Sequence, residues 1–136
     1  KSLGVLVNGW REAPYHGTTA FGLERNTYSP RYLKIRSTSA KKWTVKVAPL
    51  HRAKALKKTQ KGSGDAVFRV TLKKSKNWKI KYRSDAKSNV IVTAFGRTRN
   101  QTLWNEIRKK YTGKKKVNDF SGFVVVRSYG DWTIKR

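Results

Sequence analysis

The sequence contains no cysteine and no methionine. Without cysteine there can be no disulfide staple and no thiolate metal centre, so the fold must hold by burial and hydrogen bonding alone. A eukaryotic secreted domain of this size often carries disulfides, whereas a cytosolic protein or an exported Gram-positive protein commonly has none. Acidic residues are scarce: Glu12, Glu24, Asp65, Asp85, Glu106, Asp119 and Asp131 are all there are. A glycosidase-type carboxylate pair would have to come from these seven, and Asp65, Asp85 and Asp131 sit in turn-like contexts. His16 and His51 have no HxxxH or HExxH spacing, so neither a metal nor another cofactor is expected. No GxSxG elbow and no GxxxxGK[ST] loop occurs. No apolar run approaches the roughly 18 residues of a membrane helix.

What is present is positive charge. Thirty-three Lys and Arg against seven Asp and Glu give a formal net charge of +26 on 136 residues. Such a chain repels itself when compact, and solubility alone needs far less charge. The imbalance therefore points to an anionic partner. Hydrophobic residues nevertheless make up 37% of the chain and aromatics 12%, too much for a disordered polycation. The length suits one domain, 1–136. The chain opens on Lys1-Ser2-Leu3-Gly4 rather than methionine, as expected after removal of a signal peptide, although trimming would look the same.

The apolar period is two almost throughout. Trp43, Val45 and Val47 alternate with Thr44 and Lys46. Phe68, Val70 and Leu72 alternate with Arg69 and Thr71; Trp78, Ile80 and Tyr82 with Lys79, Lys81 and Arg83; Trp132 and Ile134 with Thr133 and Lys135. The nearly continuous apolar runs 89–95 and 123–126 predict central strands buried on both faces. The stretches 61–65, 84–88 and 129–131 have turn chemistry, and the last two predict hairpin loops. Residues 51–58 and 103–110 predict short turns or strand ends. The expected fold is all-β, a sandwich of about eight to ten short antiparallel strands.

An internal pseudo-repeat aligns residues 6–47 with 103–136 around a central segment 48–102. Leu6-Val7-Asn8 faces Leu103-Trp104-Asn105, Tyr15-His16-Gly17 faces Tyr111-Thr112-Gly113, and Trp43-Thr44-Val45-Lys46 faces Trp132-Thr133-Ile134-Lys135. The order Trp43-Thr44-Val45, Ala48-Pro49-Leu50, Gly62-Ser63-Gly64-Asp65, Asn89-Val90-Ile91-Val92, Tyr111-Thr112-Gly113 and Asp131-Trp132-Thr133-Ile134 resembles an uncharacterised repeat module of secreted and surface proteins of Gram-positive bacteria. The resemblance implies a β-fold and a secreted or cell-surface location, and it carries no catalytic residue with it. The chain departs from the pattern at Ala66, where the module has a second acid, and in its unusually basic solvent positions.

On the alternating pattern, Lys34, Arg36, Lys46, Arg69, Lys79, Lys81, Arg83 and Lys135 point outward from strands. Lys109, Lys110, Lys114, Lys115 and Lys116 flank Tyr111 in a basic cluster. Together these form the expected polyanion site. Tyr111 is read as packing, because its repeat partner Tyr15 lacks the basic triplets. Trp43, Trp78 and Trp132 are expected in the core, leaving Trp10 and Trp104 as candidates for an exposed aromatic platform. Three functions fit. The leading one is a non-enzymatic, secreted cationic protein that binds anionic polymers of the bacterial envelope or extracellular matrix, such as teichoic acid or acidic glycan. The others are an antimicrobial, bacteriocin-like protein acting on anionic bacterial surfaces, and a nucleic-acid-binding protein. No amphipathic membrane-lying helix supports the second and no RRM, KH, OB or dsRBD signature supports the third.

Overall fold

The computed structural model describes residues 16–23 and 42–136. After a 3-10 turn at Leu50–Arg52, seven strands follow: β1 Lys54–Ala55, β2 Thr59–Ser63, β3 Ala66–Leu72, β4 Lys76–Gly96, β5 Asn100–Val117, β6 Phe120–Ser128 and β7 Asp131–Lys135. They form one sheet in the order β1-β3-β6-β4-β7-β2, with β5 pairing the other side of β4. All pairings are antiparallel except β1 with β3.

The registers reduce this list to four long paths. β6 runs antiparallel to β4 from Val90 to Gly96, and β7 continues along the same neighbour from Lys79 to Arg83. β2 and β3 likewise follow one another along β7 and β6. β5 accompanies both halves of β4, with a register shift between Arg83 and Ser88. Every path therefore breaks at the same level: at Gly64–Asp65, at 129–130, at 84–88 and around 109. This line of corners divides the sheet into two leaves. The lower leaf holds β2, β7, residues 76–83 and residues 110–117. The upper leaf holds β3, β6, residues 88–96 and residues 100–108, with β1 at its edge.

The chain is all-β as expected, and among the described residues seven strands form a single mixed sheet curled into a half-barrel, with β1 parallel to β3. The physical reason lies at the corners. A hairpin turn folds a strand back onto itself, but residues 84–88 and 129–131 only bend the chain, which continues along the same partner. That is how β4 reaches 21 residues, against a usual strand of about five or six.

Small polar residues make the corner possible. Gly64 adopts φ 70°, a left-handed conformation that side chains with a Cβ disfavour. Its N–H donates to the Gly130 carbonyl at 3.2 Å. The Asp65 carboxylate accepts the Ser128 N–H at 2.8 Å. On β4 the Ser88 hydroxyl donates to Ser84 Oγ, Ser84 Oγ donates to the Ala86 carbonyl, and Tyr82 shares a hydroxyl contact with Ser88. Backbone groups that lose ladder partners at a bend need such replacements, because an unpaired buried donor costs about 1–3 kcal/mol.

Curling brings the inner faces of the two leaves together. Trp78, Ile80, Tyr82, Trp132 and Ile134 of the lower leaf pack with Phe68, Val70, Val90, Val92, Val124 and Val126 of the upper leaf in one buried cluster. Phe68 meets Trp132 edge-on at 5.9 Å between ring centres, and Trp78 meets Phe120 at 6.3 Å. Burial of each such side chain stabilises the fold by about 1.5–3 kcal/mol. The Trp132 indole N–H donates to the Gly64 carbonyl at 2.8 Å, and its six-membered ring lies so close to Gly62 that a Cβ there would clash with it.

Several expectations need correction. Residues 42–49 form no strand, and Trp43, Val45 and Val47 are exposed rather than core (62%, 47% and 72%). An alternating pattern makes a segment competent for a strand, but a strand forms only against a neighbour, and this one pairs with no strand among the described residues. The aligned Trp132 is buried in β7, so the two Trp-Thr segments occupy different environments. Most of the first repeat copy lies outside the described residues. Residues 103–110, expected as a turn or strand end, lie within β5. The expected central strands at 89–95 and 123–126 do occupy the middle of the upper leaf.

Candidate polyanion-binding face

Because side chains alternate along a strand, the core residues of the lower leaf determine what its outer face shows. With Trp78, Ile80 and Tyr82 turned inward, Lys79, Lys81 and Arg83 are turned out and exposed. Their register partners on β5 are Lys114, Thr112 and Lys110, and on β7 they are Lys135, Thr133 and Asp131. β2 extends the rows, placing Thr59 beside Lys135, Lys61 beside Thr133 and Ser63 beside Asp131. Lys116 lies opposite Asn77 at the far end.

The face is therefore a lattice. One row reads Thr59, Lys135, Lys79, Lys114. The next reads Lys61, Thr133, Lys81, Thr112. The third reads Ser63, Asp131, Arg83, Lys110. Neighbouring strands stand about 4.8 Å apart, and alternate residues along a strand about 6.7 Å apart. Three lysines side by side in one row repel each other, and like charges directly opposite destabilise a sheet. Asp131 is the one acid in these rows, beside Arg83. An anion laid on this face relieves the repulsion.

The outer face of the upper leaf is different. Val67 and Val125 are buried there, and Ile91, Thr93, Phe95 and Phe123 are half-buried. Exposed Arg69 and Arg127 stand among these apolar residues, so among the described residues the outward charge is denser on the lower leaf.

The structure sorts the expected site residues. Lys79, Lys81, Arg83, Lys110, Lys114 and Lys116 are brought onto the lower-leaf face. Lys109 is exposed at the β5 corner beside it, within the register shift. Lys115 is not on the face: it pairs with the inward Trp78, and its ammonium donates to the Thr102 carbonyl at 3.0 Å. Consecutive residues of a strand take opposite sides, so a run of three lysines cannot all face one way. Arg69 lies outward on the upper leaf, beside Phe123. Lys46 is exposed on residues 42–49, away from any strand. Lys34, Arg36 and Trp10 lie outside the described residues. Trp104 is 4% exposed and belongs to the core rather than to a platform. A bulge between Trp104 and Thr102 turns both Leu103 and Trp104 inward, which the alternation rule could not anticipate.

Lys61 was missed, because Lys61-Gly62-Ser63-Gly64 has the composition of a turn. The signal for it is the Thr59-Gln60-Lys61 alternation that precedes the glycines.

A small cleft of about 290 Å³ lies along the bent β5, lined by Trp104, Glu106, Tyr111, Lys114 and Lys115 among others. It exists because β5 bends sharply. Thr102 and Lys115 are 13 residues apart, roughly 43 Å if straight, yet they are hydrogen-bonded. Burial pushes the Tyr111 phenol above its ordinary pKa, helped by the adjacent Glu106 charge and the hydrogen bond to it. Glu106 also contacts Arg108 at 3.5 Å. It is the one carboxylate lining the cleft. Tyr111 is half-buried against the core cluster, consistent with a packing role.

No protein-family model, curated protein or solved structure matches the chain. Among the described residues no helix is long and apolar enough to cross a membrane, and no cluster of three or more His, Cys, Asp or Glu could hold a metal ion.

Proposed function

We propose that this protein is a secreted or cell-surface, non-catalytic binding protein that attaches electrostatically to anionic polymers of the bacterial envelope or extracellular matrix. The observation that carries this reading is the Lys135-Lys79-Lys114 row, flanked by Lys61, Lys81, Lys110 and Lys116 on one exposed face. Lysine supplies a mobile point charge rather than the planar fork suited to reading base edges, so the face suits a repeating polyanion. Affinity arises largely from release of counterions condensed on the polymer and therefore falls steeply with salt.

The test separates a face from mere net charge. Poly(glycerol phosphate) and polygalacturonate are titrated at low salt with the wild type, with K79Q/K114Q/K135Q, and with K54Q/R69Q/R127Q, which removes equal charge from exposed positions of the upper leaf. The face variant loses affinity on the order of 10- to 100-fold and the control only about twofold, since each neutralised contact contributes its own salt-dependent factor. Equal losses in the two triple variants would refute a localised site.

A further inference from the structure

The chemistry of the face distinguishes among anionic polymers, and this step rests on the polyanion reading above. We infer that the face is built for a flexible, base-free phosphodiester chain, a polyol phosphate, lying along the β4 and β5 directions. Three independent observations carry the inference.

The first is curvature. The core occupies the concave side of the curled sheet, so the lower-leaf lattice is on the convex side. A stiff rod touches a convex surface along a narrow strip, whereas a flexible chain follows the surface and meets several rows. The duplex, with a persistence length of about 150 base pairs, is stiff on the scale of this protein.

The second is the absence of aromatics from the lattice. Trp78, Tyr82 and Trp132 are all turned into the core, and the outward rows consist of Lys, Arg, Thr, Ser and Asp. Proteins that grip single-stranded nucleic acid stack bases on exposed aromatic rings, and each stacked base contributes substantially. Among the described residues, the lattice rows offer bases no aromatic ring to stack on.

The third is spacing and the interleaved hydroxyls. Lys79, Lys81 and Arg83 repeat every two residues, about 6.7 Å apart. A three-carbon polyol phosphate carries one charge per six backbone bonds, which is about 7 Å when extended at ordinary bond lengths. A uronate glycan whose carboxylates are two sugar rings apart is set more widely. Thr112 and Thr133 flank Lys81 in register, so each phosphate neutralised there also meets hydroxyl donors.

The experiment compares four probes at matched total charge: poly(glycerol phosphate), oligo(dT), duplex DNA and an alternating uronate glycan. Binding is measured across a salt series, and each slope is converted to charges neutralised, using about −0.7 per phosphate for single chains and −0.9 for duplex. The expected result is about six charges neutralised on poly(glycerol phosphate) and about three on duplex, with the larger number falling by two to three in K79Q/K114Q/K135Q. Oligo(dT) then binds no more tightly than poly(glycerol phosphate), and the glycan binds more weakly. Duplex neutralising as many charges as the flexible chain, oligo(dT) outlasting it at high salt, or a glycan of equal affinity would each overturn the inference while leaving polyanion binding intact. Failure of every probe to bind at low salt would overturn the polyanion reading itself, and this inference with it.

Discussion

The contact between Gly62 and Trp132 gives the most direct test of how the half-barrel is held. A Cβ on Gly62 would press against Cζ2 and Cη2 of the Trp132 six-membered ring, closer than real Cβ contacts come. The obstacle is the body of a buried ring, not the free end of a flexible side chain, so Gly62→Ala must displace Trp132. Overpacking of this kind costs about 1–3 kcal/mol. A displaced indole also strains its 2.8 Å hydrogen bond to the Gly64 carbonyl, a further cost of about 1 kcal/mol. The edge-on contact with Phe68 at 5.9 Å is disturbed as well. The expected loss is about 2–4 kcal/mol, which lowers Tm by on the order of 10 °C in a domain of this size. Urea denaturation followed by circular dichroism measures it. Trp132→Phe removes the ring atoms nearest Gly62, so Gly62→Ala in that background costs less, with a coupling of about 1–2 kcal/mol. A loss below about 0.5 kcal/mol for the single variant would refute the reasoning. So would an equal loss in both backgrounds, because the glycine would then matter for a reason other than the ring.

The corner and the cleft can be tested too. Asp65→Ala removes the acceptor of the Ser128 amide and is expected to cost about 1–3 kcal/mol, measured as a shift in urea midpoint at unchanged slope. Tyr111 has its pKa raised by burial and by Glu106, so its protonated form is favoured in the folded state. That contribution to stability is fully present below the ordinary phenol pKa and is lost as pH rises through the raised value. Ultraviolet titration should lose a late-ionising component in Tyr111→Phe, and an unchanged late component would rule the assignment out.

Much of the lower leaf was legible in the residues. The alternation of Trp78, Ile80 and Tyr82 with Lys79, Lys81 and Arg83 states which side is core and which is charged, because a strand has only two sides. The long apolar runs at 89–95 and 123–126 announced central strands for the same reason. Charge magnitude was equally plain, since it is a sum and needs no geometry. What remained hidden depends on partners distant in the chain. Ser84 to Ser88 carries hairpin chemistry, and only pairing with β6 and β7 makes it a bend in one long strand. Trp43 and Trp132 have the same local pattern, yet one is exposed and the other buried, because strand formation is decided by the neighbour and not by the segment. Lys115 belongs to the same basic run as Lys114 and Lys116 but faces the other side, and the bulge beside Leu103 turns Trp104 inward. Composition and period by themselves determined an all-β chain with a strongly cationic surface. Only the tertiary structure decided that the sheet curls and that pairing sets Lys135, Lys79 and Lys114 from three strands in one row, since cross-strand neighbours are set by hydrogen-bond register over long sequence distances.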